Sequence, residues 1–168
     1  RRTLSFVVCA ILAGASPARA ADDAQRARER AEKLLASAQQ QIGRQKYAKA
    51  LSPLERALEY GAASGDAPLR VRLLRTLATV QESLGPPAQA RDTLLLAAAL
   101  AREAQDADGL RQSLSDLGRL QVLAGDAAGA VASLAEATRL HAAAGATREE
   151  RQATANLALA QYVAGDKD

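Results

Sequence analysis

Apolar residues recur along this chain at the three- and four-residue spacing of helices packed on one face. The clearest stretch is 110–149, where two amphipathic patterns meet at Gly125-Asp126. The same pattern lies forty residues earlier and begins again forty residues later. Ala50, Ala90 and Ala130 are forty apart, as are Leu54, Leu94 and Leu134, Ala57, Ala97 and Ala137, and Leu77, Leu117 and Leu157. Gly85, Gly125 and Gly165 mark a turn inside each unit, with Gln45 in that place in the first. A glycine there can take the left-handed conformation that ends a helix. No segment alternates apolar and polar residues as a strand would.

These repeats predict antiparallel helical hairpins. Small Ala90 and Ala130 let the second helix approach the first, and Leu94 and Leu134 fill the layer between. Asp22-Asp23 is expected to cap the first helix, over Ala24 to Gln41, with Glu29 and Lys33 at a favourable i, i+4 spacing and an exposed first half. Turn chemistry is read at Gly61, at Ser64-Gly65-Asp66 with Pro68, from Asp106 to Gly109, and at Gly145. Gly85-Pro86-Pro87 reads as a stop, and Thr147 with Glu150 as a capping box opening the last helix. Pro53 falls inside a helix, where a bend is expected with Leu54 and Ala57 still in register. Tyr47 and Tyr60 read as packing residues of that helix.

Leu117-Gly118, Gly125, Ala130, Leu134 and Ala137 stand at the signature spacing of tetratricopeptide repeats, which the chain resembles over about residues 30–168. The unit is forty residues where the family's usual one is about thirty-four. It looks like the long-helix variety of kinesin light chains and of many bacterial signalling and secreted proteins. The family's large aromatics are mostly replaced here by Leu and Gln. The resemblance implies an all-α chain, an α-solenoid of about three and a half hairpins, whose first helices line a concave groove. By analogy with the family, the groove positions are Arg72, Arg75, Thr79 and Glu82, then Gln112, Ser115, Arg119 and Val122, then Gln152, Asn156 and Tyr162. The three arginines could meet a carboxylate or an acidic peptide. The family's two-carboxylate clamp is not reproduced, so binding of chaperone tails does not carry over.

Composition fits this picture. Apolar residues make up 48% of the 168 residues and aromatics only 2%, so the core is built of Ala and Leu, both strong helix formers. The net charge of +3 is misleading. Arg1, Arg2 and Arg19 lie in residues 1–20 with no acid, and taking these three from the 22 basic residues leaves 19 against 19 acidic ones. A neutral remainder without stacking aromatics offers no footprint for nucleic acid.

Residues 1–20 read as a secretory signal: basic Arg1-Arg2, apolar Leu4 to Ala15, and a small-x-small site at Ala18 and Ala20 with cleavage after Ala20. The apolar run is short for a membrane span, and an uncleaved membrane anchor is the alternative reading of this segment. Val8 before Cys9 does not suit a lipoprotein site, so the mature domain, 21–168, is expected to lack cysteine and disulfides. Bacterial export, periplasmic or secreted, follows, with no stable membrane insertion after cleavage. The chain begins with Arg1 rather than Met, and Asp168 follows a helix without its partner, so a longer parent protein is expected.

Little in the sequence resembles catalytic machinery. His141 is the sole histidine and reads as a residue at a helix end, where a cation is favoured. Glu149-Glu150 open a helix, and the glycines follow the repeat rather than a phosphate loop. The reading is a non-catalytic scaffold, with no cofactor and no metal, binding a protein or peptide in its groove. Two alternatives accompany it. One is the N-terminal regulatory region of a longer secreted enzyme, for example with a caspase-like peptidase domain. The other is an envelope-assembly factor that self-associates through the exposed C-terminal end.

Overall fold

A computed structural model describes residues 16–85, 87–145 and 147–165, without the side chain of Thr147. The apolar part of the expected signal, Cys9, Pro86, the Thr147 side chain of the capping box and the terminal Asp168 lie outside the described residues. Seven helices are described: α1 (Pro17–Gly43), α2 (Tyr47–Ser64), α3 (Ala67–Leu84), α4 (Pro87–Ala104), α5 (Ala107–Leu123), α6 (Ala127–Ala143) and α7 (Thr147–Ala164). Each packs antiparallel on its sequence neighbours, giving hairpins α1/α2, α3/α4 and α5/α6 and the half unit α7. The described residues form an all-α solenoid of three and a half hairpins.

Beneath the forty-residue repeat runs a twenty-residue one. From α2 onward the helices begin at 47, 67, 87, 107, 127 and 147. Asp66, Asp106 and Asp126 each stand just before a helix and accept a hydrogen bond, 2.9 Å long, from the backbone N–H three residues on. This satisfies one of the helix's orphan donors. Helices end on left-handed residues at the same interval: Gln45, Gly65, Gln105, Gly125, Gly145 and Gly165, with φ from 58° to 87°. Gly85 departs from the expected left-handed turn. It is extended, with φ −160° and ψ −164°, because a residue preceding proline is pushed out of the helical region.

Three other local expectations change. Helix α1 starts at Pro17, so Asp22-Asp23 lie inside it rather than capping it. Proline suits the first helical position, and the alanines after it propagate the helix. Glu29 accepts from Gln25 Nε2 at 2.9 Å instead of pairing with Lys33. Gly61 is no turn residue: it is buried within α2, where an added Cβ would lie 2.9 Å from Leu73 Cδ1 on α3. Helix α2 continues through Pro53, and Leu54 and Ala57 are fully buried as the register required. Tyr47 and Tyr60 are half-buried against the first core cluster, and the Arg30 guanidinium lies 5.5 Å from the Tyr60 ring centre.

The core is a chain of small clusters between successive helices. Leu54, Leu74, Leu94, Leu114 and Leu134, twenty apart, are all buried. Small residues face them, and Gly118 is the extreme: a Cβ there would lie 2.8 Å from Leu134 Cδ2 and closer still to Cγ. The exposed first half of α1 also fits, since its first buried residue is Ala27.

Candidate functional site

The first helices of the units approach one another directly, α1 with α3, α3 with α5 and α5 with α7. Among the described residues the second helices have no such backbone approach. The first helices therefore form the inner, concave face, and two hollows open on it. One, of about 400 Å³, lies across α1, α3 and α5, with Gln39, Ile42, Thr76 and Asp116 beside Arg72, Arg75, Thr79 and Gln112 of the groove set. The other, of about 170 Å³, lies between α5 and α7, where Gln112, Ser115, Gln152 and Asn156 meet His141 and Glu149.

Two of the three arginines are engaged within the fold. Arg75 Nε donates to Asp116 Oδ2 at 2.8 Å, its Nη2 lies 2.7 Å from the same oxygen, and its Nη1 donates to Gln112 Oε1. Arg119 Nη1 and Nη2 donate to the two oxygens of Glu82, both at 2.7 Å. Those hydrogen bonds hold the Glu82 carboxyl below its ordinary pKa and raise that of Arg119, with burial opposing both shifts. Bidentate pairing fixes guanidinium and carboxylate in one plane. These arginines thus tie α3 to α5 rather than waiting for an acidic ligand. Arg72 is exposed, and its side chain makes no hydrogen bond or ion pair among the described residues.

The remaining groove positions divide. Thr79 Oγ1 donates to its own helix at Arg75 O (3.2 Å), and Ser115 Oγ to Arg111 O (3.0 Å). Gln152 Nε2 donates to Asn156 Oδ1 at 3.2 Å. Val122 is packed against the cluster of Ala130, Leu134 and Ala160. Tyr162 stands 70% exposed at the far end of α7.

Sequence reasoning missed three participants. Asp116, the partner of Arg75, has no distinguishing mark in the sequence. His141 is in the last turn of α6, as expected, but it is also buried beneath the second hollow. Its Nε2 lies 3.1 Å from Ser115 Oγ. The Ser115 hydroxyl also lies 3.0 Å from Arg111 O, and the buried His141 Nδ1 has no hydrogen-bond partner. Burial first, and the charge of Arg111 second, lower the pKa of His141 against the opposing pull of Glu149 and Glu150. The third is a glutamine series at forty-residue spacing, Gln41, Gln81, Gln121 and Gln161. Gln81 Oε1 accepts from Thr93, and Gln121 Oε1 accepts from Ser133, each at 2.8 Å, pinning the two helices of a hairpin together. Its regular spacing was the signal that could have found it.

Among the described residues no group of three His, Cys, Asp or Glu is placed to hold a metal ion, and no helix is long and apolar enough to cross a membrane. A family model described as anaphase-promoting complex subunit 5 matches residues 34–123, which takes in α2 to α5 and most of the concave face. No curated protein matches the chain.

Proposed function

The chain belongs to the family described as anaphase-promoting complex subunit 5, a helical-repeat family of the tetratricopeptide kind, and we propose that it is a non-catalytic scaffold whose concave face holds a segment of a partner protein. The observation that carries this is the run of first helices α1, α3, α5 and α7 on one face, with two open hollows along it. Stacked repeats of this kind use such extended concave surfaces for binding. The lining supports the reading, since amides, hydroxyls and one uncommitted guanidinium can hydrogen-bond a polypeptide. The repeat itself is best described as the long, forty-residue variety, because each helix with its turn occupies twenty residues.

Site-specific photo-crosslinking tests this. A photoreactive residue at Thr79, Gln112 or Gln152 should capture one partner species, and the same residue at Leu95 on α4 should not. Equal capture at Leu95, or capture there alone, would place the contact elsewhere and reject the groove.

Export belongs to the same proposal. Residues 1–20 carry the order of a secretory leader, and among the described residues the first buried apolar one, Ala27, lies beyond the cleavage point after Ala20. Residues 1–25 fused to a reporter that folds only outside the cytoplasm should give active reporter and a processed N-terminus at Ala21. An unprocessed, inactive fusion would overturn it.

A further inference from the structure

Three rows of positions on the concave face end in apolar or aromatic residues on α7. Thr79 on α3 gives way to Arg119 on α5 and Leu159 on α7; Glu82 to Val122 and Tyr162; Ser83 to Leu123 and Val163. The register between neighbouring first helices is fixed by two ion pairs. Glu82 meets Arg119 and Arg75 meets Asp116, offsets of 37 and 41 residues. The hollow between α5 and α7 repeats those offsets, with Ser115 beside Gln152 and Asn156. Two helical turns further along, the same register sets Val122 beside Leu159 and Val163. Leu123, Leu159, Tyr162 and Val163 are 68%, 51%, 70% and 51% exposed. That register gathers them at the C-terminal ends of α5 and α7, beyond the hollow between these helices.

Charge decides what could lie there. The guanidinium groups of Arg75 and Arg119 are neutralised by Asp116 and Glu82. The uncommitted Arg72 lines the hollow across α1, α3 and α5, so at the α5–α7 end an acidic segment would have to displace those carboxylates and leave them facing its own, and like charges set together oppose binding. Apolar side chains laid on the α5–α7 end would instead cover exposed Leu, Tyr and Val and remove them from water.

Resting on the groove reading above, we infer that the occupant is a protein segment near electrical neutrality that presents bulky apolar side chains, Leu- or Phe-like, to the C-terminal ends of α5 and α7. Recognition is by an apolar anchor, with the polar hollows guiding the remainder of the segment.

Panning a library of displayed random peptides on the full chain tests this, alongside the variant Leu123→Ser/Leu159→Ser/Tyr162→Ser, whose folding is checked by circular dichroism. The changed positions are exposed. If the triple variant does not fold, Leu123→Ser and Tyr162→Ser are used singly. The expected result is enrichment of near-neutral peptides with clustered apolar residues, bound about tenfold or more weakly by the folded variant, as for loss of a binding hot spot. Enrichment of acidic peptides, or apolar peptides held equally by the variant, overturns the anchor and leaves the groove reading standing. No enrichment over a blank surface removes both. Sedimentation showing a dimer that the variant abolishes would assign the surface to a second copy of the chain and likewise overturn the proposal.

Discussion

Arg119 and Glu82, thirty-seven residues apart on neighbouring first helices, are held by two parallel hydrogen bonds of 2.7 Å. The pair is a strut between two repeats, and its charge is spent before any ligand arrives. The Arg119 side chain is 44% exposed, so solvent screens the pair, and its worth is that of a surface ion pair, about 0.2–1 kcal/mol. Arg119→Glu should cost at least that, since it sets two carboxylates together. The swap Arg119→Glu/Glu82→Arg should recover most of the loss, and denaturant midpoints of the four proteins complete the cycle. The pH sign follows from the lowered pKa of Glu82. Its contribution is present above the unfolded carboxyl value of about 4.3 and is lost as pH falls through the lower folded value.

Gly118 presses on Leu134 so closely that a Cβ would lie 2.8 Å from Cδ2. In the equivalent places of the other units stand Ala38, Ala78 and Ala158. Two of these share a core cluster with the equivalent buried leucine, Ala38 with Leu54 and Ala78 with Leu94. A methyl group is thus accommodated elsewhere in the array. Gly118→Ala should be close to neutral, because a helix-propensity gain of about 1 kcal/mol offsets the shift forced on Leu134. Gly118→Val overpacks the same contact and should cost about 1–3 kcal/mol. Thermal melts of the two variants against the parent separate these outcomes.

The hairpins were legible in the sequence because Ala50, Ala90 and Ala130 and their Leu partners do nothing but pack, and packing leaves a period. Gly61 was misread because glycine in a turn and glycine at a close helix crossing look alike without the neighbour, here Leu73. The groove was legible only as a list of positions. Whether Arg119 or Arg75 is available depends on a carboxylate about forty residues away, and Glu82 and Asp116 carry no local sign of that pairing. His141 was placed correctly on its helix end, yet its burial depends on α5 and α7 closing over it.

Gln105 and Gly125 end helices in the same left-handed conformation, with φ 58° and 79°. For a residue with a Cβ that conformation costs roughly 1–2 kcal/mol, and glycine relieves it at some entropic cost in the unfolded chain. Gln105→Gly should therefore stabilise the protein by about 0.5–1 kcal/mol, and Gly125→Val should destabilise it by more than 1 kcal/mol. Nothing stands within 4 Å of a Cβ at Gly125, so that loss would be one of backbone conformation rather than of contact. Urea midpoints give the two signs. A stabilising Gly125→Val would mean that this turn is not left-handed.

His141 is the one histidine of the chain, buried between α5 and α7 with its Nδ1 unpartnered. Desolvation, reinforced by Arg111, lowers its folded pKa, so the unfolded state takes up a proton before the folded one does. The sign is fixed: stability is highest above the unfolded value of about 6.5, falls as pH drops from there towards the folded pKa, and levels off below it. The loss should appear as a urea midpoint that declines between neutral and mildly acidic pH. In His141→Gln that part of the decline should vanish, leaving the carboxylate contribution at lower pH. Because no other histidine contributes a signal, NMR of the imidazole ring reads the folded pKa directly. A value at or above 6.5 would reverse the sign and remove the buried imidazole as the source of acid sensitivity.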